Sequence, residues 1–140
     1  MNETRKQFEI AILNQYFQHR FAFFKKESME WLEVGLKSNQ GVVYKLVIEM
    51  SQNYPYQMPM ATITFPRLLK GFKGKKINSY SHELHTLECT KEYIGLCLFH
   101  PNQWSPNQSL YKVIVKAKLW IEAYENYLKT GKNINTYLKC

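Results

Sequence analysis

The sequence predicts an α+β domain, and three observations carry that reading. Apolar residues at helical spacing open the chain, alternating and β-branched runs fill its middle, and a long amphipathic stretch follows them. In the opening segment Phe8, Ile12 and Tyr16 recur at four-residue steps, with Ala11 and Leu13 beside them, so an amphipathic helix is expected over residues 3 to 17. Phe21 to Phe24 begins an aromatic-rich regime. Trp31 to Lys37 alternates apolar and polar side chains, as a half-buried strand does. Ser38-Asn-Gln-Gly41 is a turn signal, and Val42 to Met50 is β-branched and apolar, so the two runs form a hairpin. Two prolines in Tyr54-Pro-Tyr-Gln-Met-Pro59 exclude regular helix or central strand there, because each lacks an N–H and restrains the residue before it. Ala61 to Phe65 is a further short strand, closed by Pro66, and residues 67 to 94 read as irregular.

The last element has the strongest pattern. Leu110, Val113, Ile114, Ala117, Trp120, Ile121, Tyr124 and Leu128 fall on three-and-four spacing, with Lys112, Lys116, Lys118, Glu122 and Glu125 on the other sides. A helix is predicted from about residue 107 to 130. Ser105-Pro106 or Asn107 can cap its start, and Gly131 is a stop signal.

The chain has 140 residues, which suits one domain over 1–140. Its 45% hydrophobic and 15% aromatic content excludes a disordered chain. Nineteen Lys and Arg against eleven Asp and Glu leave a net charge of +8, which favours acidic partners or serves solubility alone. The basic run Leu69 to Lys76 lacks the Gly-x-x-x-x-Gly-Lys-Ser/Thr pattern of a phosphate loop. It reads as solvated first and as a dock for an acidic partner second.

Three cysteines, Cys89, Cys97 and Cys140, show no Cys-x-x-Cys spacing, which argues against a disulfide framework and a zinc site. No signal peptide or membrane span is visible, so a reducing cytoplasm is expected, with Cys97 a free thiol. There is no Gly-x-Ser-x-Gly elbow. The only histidine after Cys97 is His100, three residues on, which fits a cysteine peptidase poorly. Taken alone, an isolated cysteine is more often a packing residue than a nucleophile.

Three ordered motifs change that balance. Tyr54-Pro-Tyr-Gln-Met-Pro59, Gly95-Leu-Cys97-Leu and Trp104-Ser-Pro106 resemble the aromatic-Pro turn, the Gly-x-Ile-Cys-Leu segment and the Trp-Ser-Pro of ubiquitin-conjugating enzymes. The likeness spans roughly residues 3 to 130. Trp120-Ile-Glu-Ala-Tyr-Glu125 with Tyr127-Leu-Lys-Thr-Gly-Lys132 is similar to the ending of the bacterial E2-like branch found in antiphage operons of the CBASS or ubiquitin-like kind. Eukaryotic members continue into two more helices where this chain stops, which agrees with that branch.

The resemblance implies a UBC-like fold: an N-terminal helix, a four-stranded antiparallel meander, a long cysteine-bearing segment and a C-terminal helix packed behind the sheet. It implies that Cys97 is the catalytic nucleophile. It would take the C-terminal carboxyl of a partner protein, a cGAS-like nucleotidyltransferase or a ubiquitin-like modifier, as a thioester and pass it to an amine. No cofactor, metal or membrane is implied, and a separate activating enzyme supplies the adenylation unless that step is bypassed. One departure matters. The family's His-Pro-Asn lies upstream of the cysteine, whereas His100-Pro-Asn102 lies downstream of Cys97. His82 and His85 in Ser81-His-Glu-Leu-His85 are then the candidates to support the oxyanion or the attacking lysine, with an ordinary loop histidine as the equal alternative. His100 is a further candidate to lower the thiol pKa if it folds back on Cys97. A non-catalytic binding module in the same fold ranks second. A nucleotide binder driven by charge ranks last, since no aromatic stacking platform adjoins the basic run.

Overall fold

Asn2 starts the first helix by accepting a hydrogen bond from the Arg5 N–H at 2.8 Å, which satisfies one of the donors a helix start leaves open. That helix, α1, spans Glu3–Phe17. A computed structural model describes residues 1–67, 70–74, 86 and 93–134, and the structural statements that follow concern those residues. Beyond α1 they comprise β1 (Phe21–Lys26), β2 (Met29–Lys37), β3 (Val43–Met50), β4 (Met60–Phe65), β5 (Ile94–Leu96) and α2 (Leu110–Thr130), with short 3-10 turns at Phe72–Gly74 and Pro101–Gln103.

The strands form one antiparallel sheet in the order β1-β2-β3-β4-β5. The expected meander of four strands therefore becomes one of five. The sequence gives the region before Cys97 no alternating signal, yet Ile94, Gly95 and Leu96 pair with Ile63, Thr62 and Ala61. All three residues of β5 are buried, so a strand too short to show a period forms because a neighbour offers it a ladder.

In β2 and β3 the strand period decides the core. Leu32, Val34 and Leu36 alternate with outward residues, as do Tyr44, Leu46 and Ile48. Ala61 and Ile63 do the same in β4. These inward residues and the buried stripe of α2 belong to one core, which also takes in Leu13, Tyr54, Phe99 and Ile134. The β2–β3 turn closes as expected: Gly41 adopts φ 88°, and its N–H donates to the Ser38 carbonyl at 2.9 Å.

Helix α2 starts later than predicted. Ser109, rather than Ser105 or Asn107, is the cap, its hydroxyl accepting the Lys112 N–H at 3.2 Å. Gly131 ends the helix at φ 75°, and a Cβ there would stand 2.9 Å from the Phe72 ring, so glycine serves both the turn and that close approach. Residues on both helices depart from their expected faces. Glu125 is buried rather than solvated, and the Tyr44 hydroxyl donates to its carboxylate at 2.8 Å. On α1 the buried residues are Glu9 and Leu13, while Phe8 and Tyr16 of the apolar series are half exposed. The cause is Glu9. Its carboxylate accepts from the Tyr54 hydroxyl at 3.0 Å and the Leu110 N–H at 2.8 Å, and pairs with Arg5 at 2.9 Å. These contacts turn α1 so that a charged residue faces inward and part of its apolar line faces out.

Replacing Glu9 by Ala strands the Arg5 charge and two buried donors. It is expected to destabilise the fold by about 3–5 kcal/mol, read as a lower guanidinium midpoint. High pH should weaken the fold as well. Burial, and then the neighbouring Tyr127 and Glu125, together push the Tyr124 phenol up to about 12. An unfolded tyrosine ionises near ~10, so stability is complete below that pH and falls as pH rises from about 10 to about 12. Unfolding midpoints measured across that window should decline, and less steeply in Tyr124→Phe.

Candidate functional site

Strand β5 delivers Cys97. Leu96 pairs with Ala61 of β4 and also makes an isolated bridge to Thr86, so the residue before the cysteine is tied by backbone pairing. Leu98 and Phe99, just after it, are buried. Cys97 itself is half-buried. It borders a small, mostly apolar cavity of about 80 Å³, walled by Met58, Met60, Leu96, Phe99, Pro101 and Val113 among others. Cys97 therefore lines a pocket and is not fully buried in the core.

Each wall has its own anchor. The Lys116 ammonium donates to the Leu98 carbonyl at 3.1 Å and lies 4.3 Å from the Phe99 ring centre. Burial, and then the neighbouring charge of Lys112, lowers the Lys116 pKa from its ordinary value. Phe99 meets Trp104 edge to face at 5.2 Å, and the Trp104 indole N–H donates to the Pro55 carbonyl at 2.8 Å. The Tyr54–Pro59 turn, which contains a cis Tyr54–Pro55 bond, is thereby fastened to the loop that follows the cysteine. Pro101 lines the cavity, while Trp104 buttresses Phe99.

The expectation of a free thiol is corrected: Cys97 is disulfide-bonded. Cys89 and Cys140 lie outside the described residues. His82 and His85 also lie outside them. His100 does not fold back to serve the sulfur. It is exposed, and its Nδ1 accepts the Asn102 N–H at 3.2 Å, capping the turn Pro101–Gln103. By its spacing Lys116 is only one of the residues off the apolar stripe of α2. Nothing in its spacing marks it, because its role depends on where β5 brings the Leu98 carbonyl.

A family model described as the type II CBASS E2 protein matches residues 9–134. The chain belongs to that family. This CBASS E2 is therefore an E2-like protein of antiphage defence. Neither a curated protein nor a solved structure matches it significantly. The matched span takes in both helices' buried faces, all five strands and the Cys97 cavity. Among the described residues, no helix is long and apolar enough to cross a membrane.

The disulfide makes a direct expectation. A maleimide should leave Cys97 unmodified in the oxidised protein and label it after reduction by a phosphine, read by peptide mass spectrometry. Labelling of Cys97 before reduction would contradict the bond.

Proposed function

We propose that this CBASS E2 is a conjugating enzyme whose Cys97, once reduced, carries a partner protein's C-terminus as a thioester. The Cys97 thiolate attacks the activated carbonyl, forming the sulfur–carbon bond as the donor's leaving group departs. An amine then attacks the same carbonyl, the sulfur–carbon bond breaks, an amide forms and the thiolate is released. The energy change in the first exchange is small, so placement of the tail against the sulfur matters more than strong activation. The observation that carries the reading is half-buried Cys97, just after β5 and beside an apolar cavity. Family membership supports it. A cytoplasmic setting would keep the cysteine reduced.

The partner is read as the operon's cGAS-like nucleotidyltransferase or a ubiquitin-like modifier, charged by a separate activating enzyme or by a route that bypasses it. His82 or His85 is proposed to steady the oxyanion or the incoming lysine. A second reading, a binding module that holds a partner without chemistry, is favoured by the disulfide on Cys97.

Incubating the phosphine-reduced protein with the neighbouring cyclase or modifier, and the activating enzyme where the operon has one, should produce an adduct that an added thiol cleaves. Cys97→Ser should make it thiol-resistant or remove it, and Cys97→Ala should abolish it. His85→Ala or His82→Ala should leave adduct formation intact and slow its discharge to lysine, by about 100-fold for a full acid–base role. An unchanged adduct in Cys97→Ala rejects the enzyme reading. Equal protection of phage-challenged cells by Cys97→Ala and the parent selects the binding module.

A further inference from the structure

A second surface lies between the end of α1 and the outer side of α2. There Tyr16 is 49% exposed, Val115 37% and Leu119 52%. Tyr16 stacks on Tyr111 with ring centres 4.4 Å apart, so the two helices form the sides of a continuous apolar groove of about 370 Å³. Arg20, Lys37 and Lys118 also line it, and among the described residues that line it none is acidic. Arg20 is held in place: its guanidinium donates to the Phe17 and Tyr16 carbonyls, both at 3.2 Å. Lys118 pairs with Glu122, so part of its charge is offset.

The groove has an unusual origin. Tyr16 belongs to the apolar series that marks α1 as amphipathic, and the buried Glu9 turns the helix so that this residue faces out. Val115 and Leu119 lie one turn apart on α2, opposite its buried stripe. Apolar residues converging from two helices, with cations among them, match a partner segment with apolar anchors bordered by carboxylates. A second copy of this chain fits poorly, because each copy carries +8 and would bring like charges together across the same groove. Nucleic acid would meet the cations but leave the aliphatic floor unmatched.

We propose that this groove docks an amphipathic segment of another protein, its apolar face seated on Tyr16, Val115 and Leu119 and its acidic residues against Arg20 and Lys37. The surface is separate from the Cys97 cavity, whose walls share no residue with it. Docking here therefore holds whether or not Cys97 performs chemistry.

The probe is a fluorescent helix-forming peptide of about 16 residues, with Leu and Phe along one face and Glu beside them. Its control carries Lys in place of each Glu. By fluorescence anisotropy the Glu peptide should bind, and binding should weaken several-fold as salt rises from about 50 to about 300 mM. The Lys peptide should not bind. Leu119→Asp, at an exposed position, should weaken binding at least about 10-fold with an unchanged circular dichroism spectrum. Arg20→Glu should weaken the Glu peptide and spare a neutral version of it, and Cys97→Ala should bind like the parent. Equal binding of the Glu and Lys peptides, binding of neither, or parental binding by folded Leu119→Asp overturns the proposal. A dimer in sedimentation that Leu119→Asp dissociates would assign the groove to self-association and overturn it as well.

Discussion

A buried carboxylate organises the end of the molecule on which the site depends. Glu9 is fully buried, an arrangement that is costly unless the charge is paired and its lone pairs are filled. Arg5 supplies the opposite charge, and the Tyr54 hydroxyl and the Leu110 N–H supply further donors. The Leu110 N–H is the first of α2, where the helix dipole also favours a negative charge. Arg5 in turn donates to the Pro106 and Gln108 carbonyls, at 2.7 and 2.5 Å. One ion pair thus ties α1, the Tyr54–Pro59 turn, the loop that carries Trp104 and Pro106, and the start of α2.

From that knot the constraint runs to Cys97 by packing. Tyr54 lies 6.3 Å from Trp104, Trp104 abuts Phe99, and Phe99 sits under the Lys116 ammonium that also holds the Leu98 carbonyl. The other approach is through the sheet, where β4 pairs with β5 and stops one residue short of the sulfur. Cys97 is therefore gripped on both sides by elements far apart in the chain. A reaction that depends on placement rather than on strong activation is suited to such a support.

The same carboxylate governs what lies outside. By drawing Glu9 inward it leaves Phe8 and Tyr16 half exposed, and it brings Tyr16 against Tyr111 of α2. Glu125 shows the converse. It sits among residues that read as a solvated face, yet the Tyr44 hydroxyl on β3 gives it a buried donor, and the Tyr44 phenol is raised in pKa by burial and by that carboxylate. Both glutamates are placed by partners on other elements, so no local pattern could announce them.

Local chemistry was enough for much of the rest. The period of two in β2 to β4 picks out the inward residues, and the three-and-four stripe of α2 picks out its buried face apart from Leu128, because side-chain direction follows directly from backbone geometry. Gly41 and Gly131 mark turns that need positive φ. The motifs around Cys97 were equally visible in the chain, and with them the family. Tertiary structure alone decided the fifth strand, the facing of α1, the work of Lys116 and the bonded state of the Cys97 sulfur, whereas the Ser109 and His100 caps are local bonds. The strand pairing, the facing of α1 and the work of Lys116 are partnerships between residues distant in sequence. A donor, an acceptor or a second sulfur becomes a partner only once folding has brought it within reach.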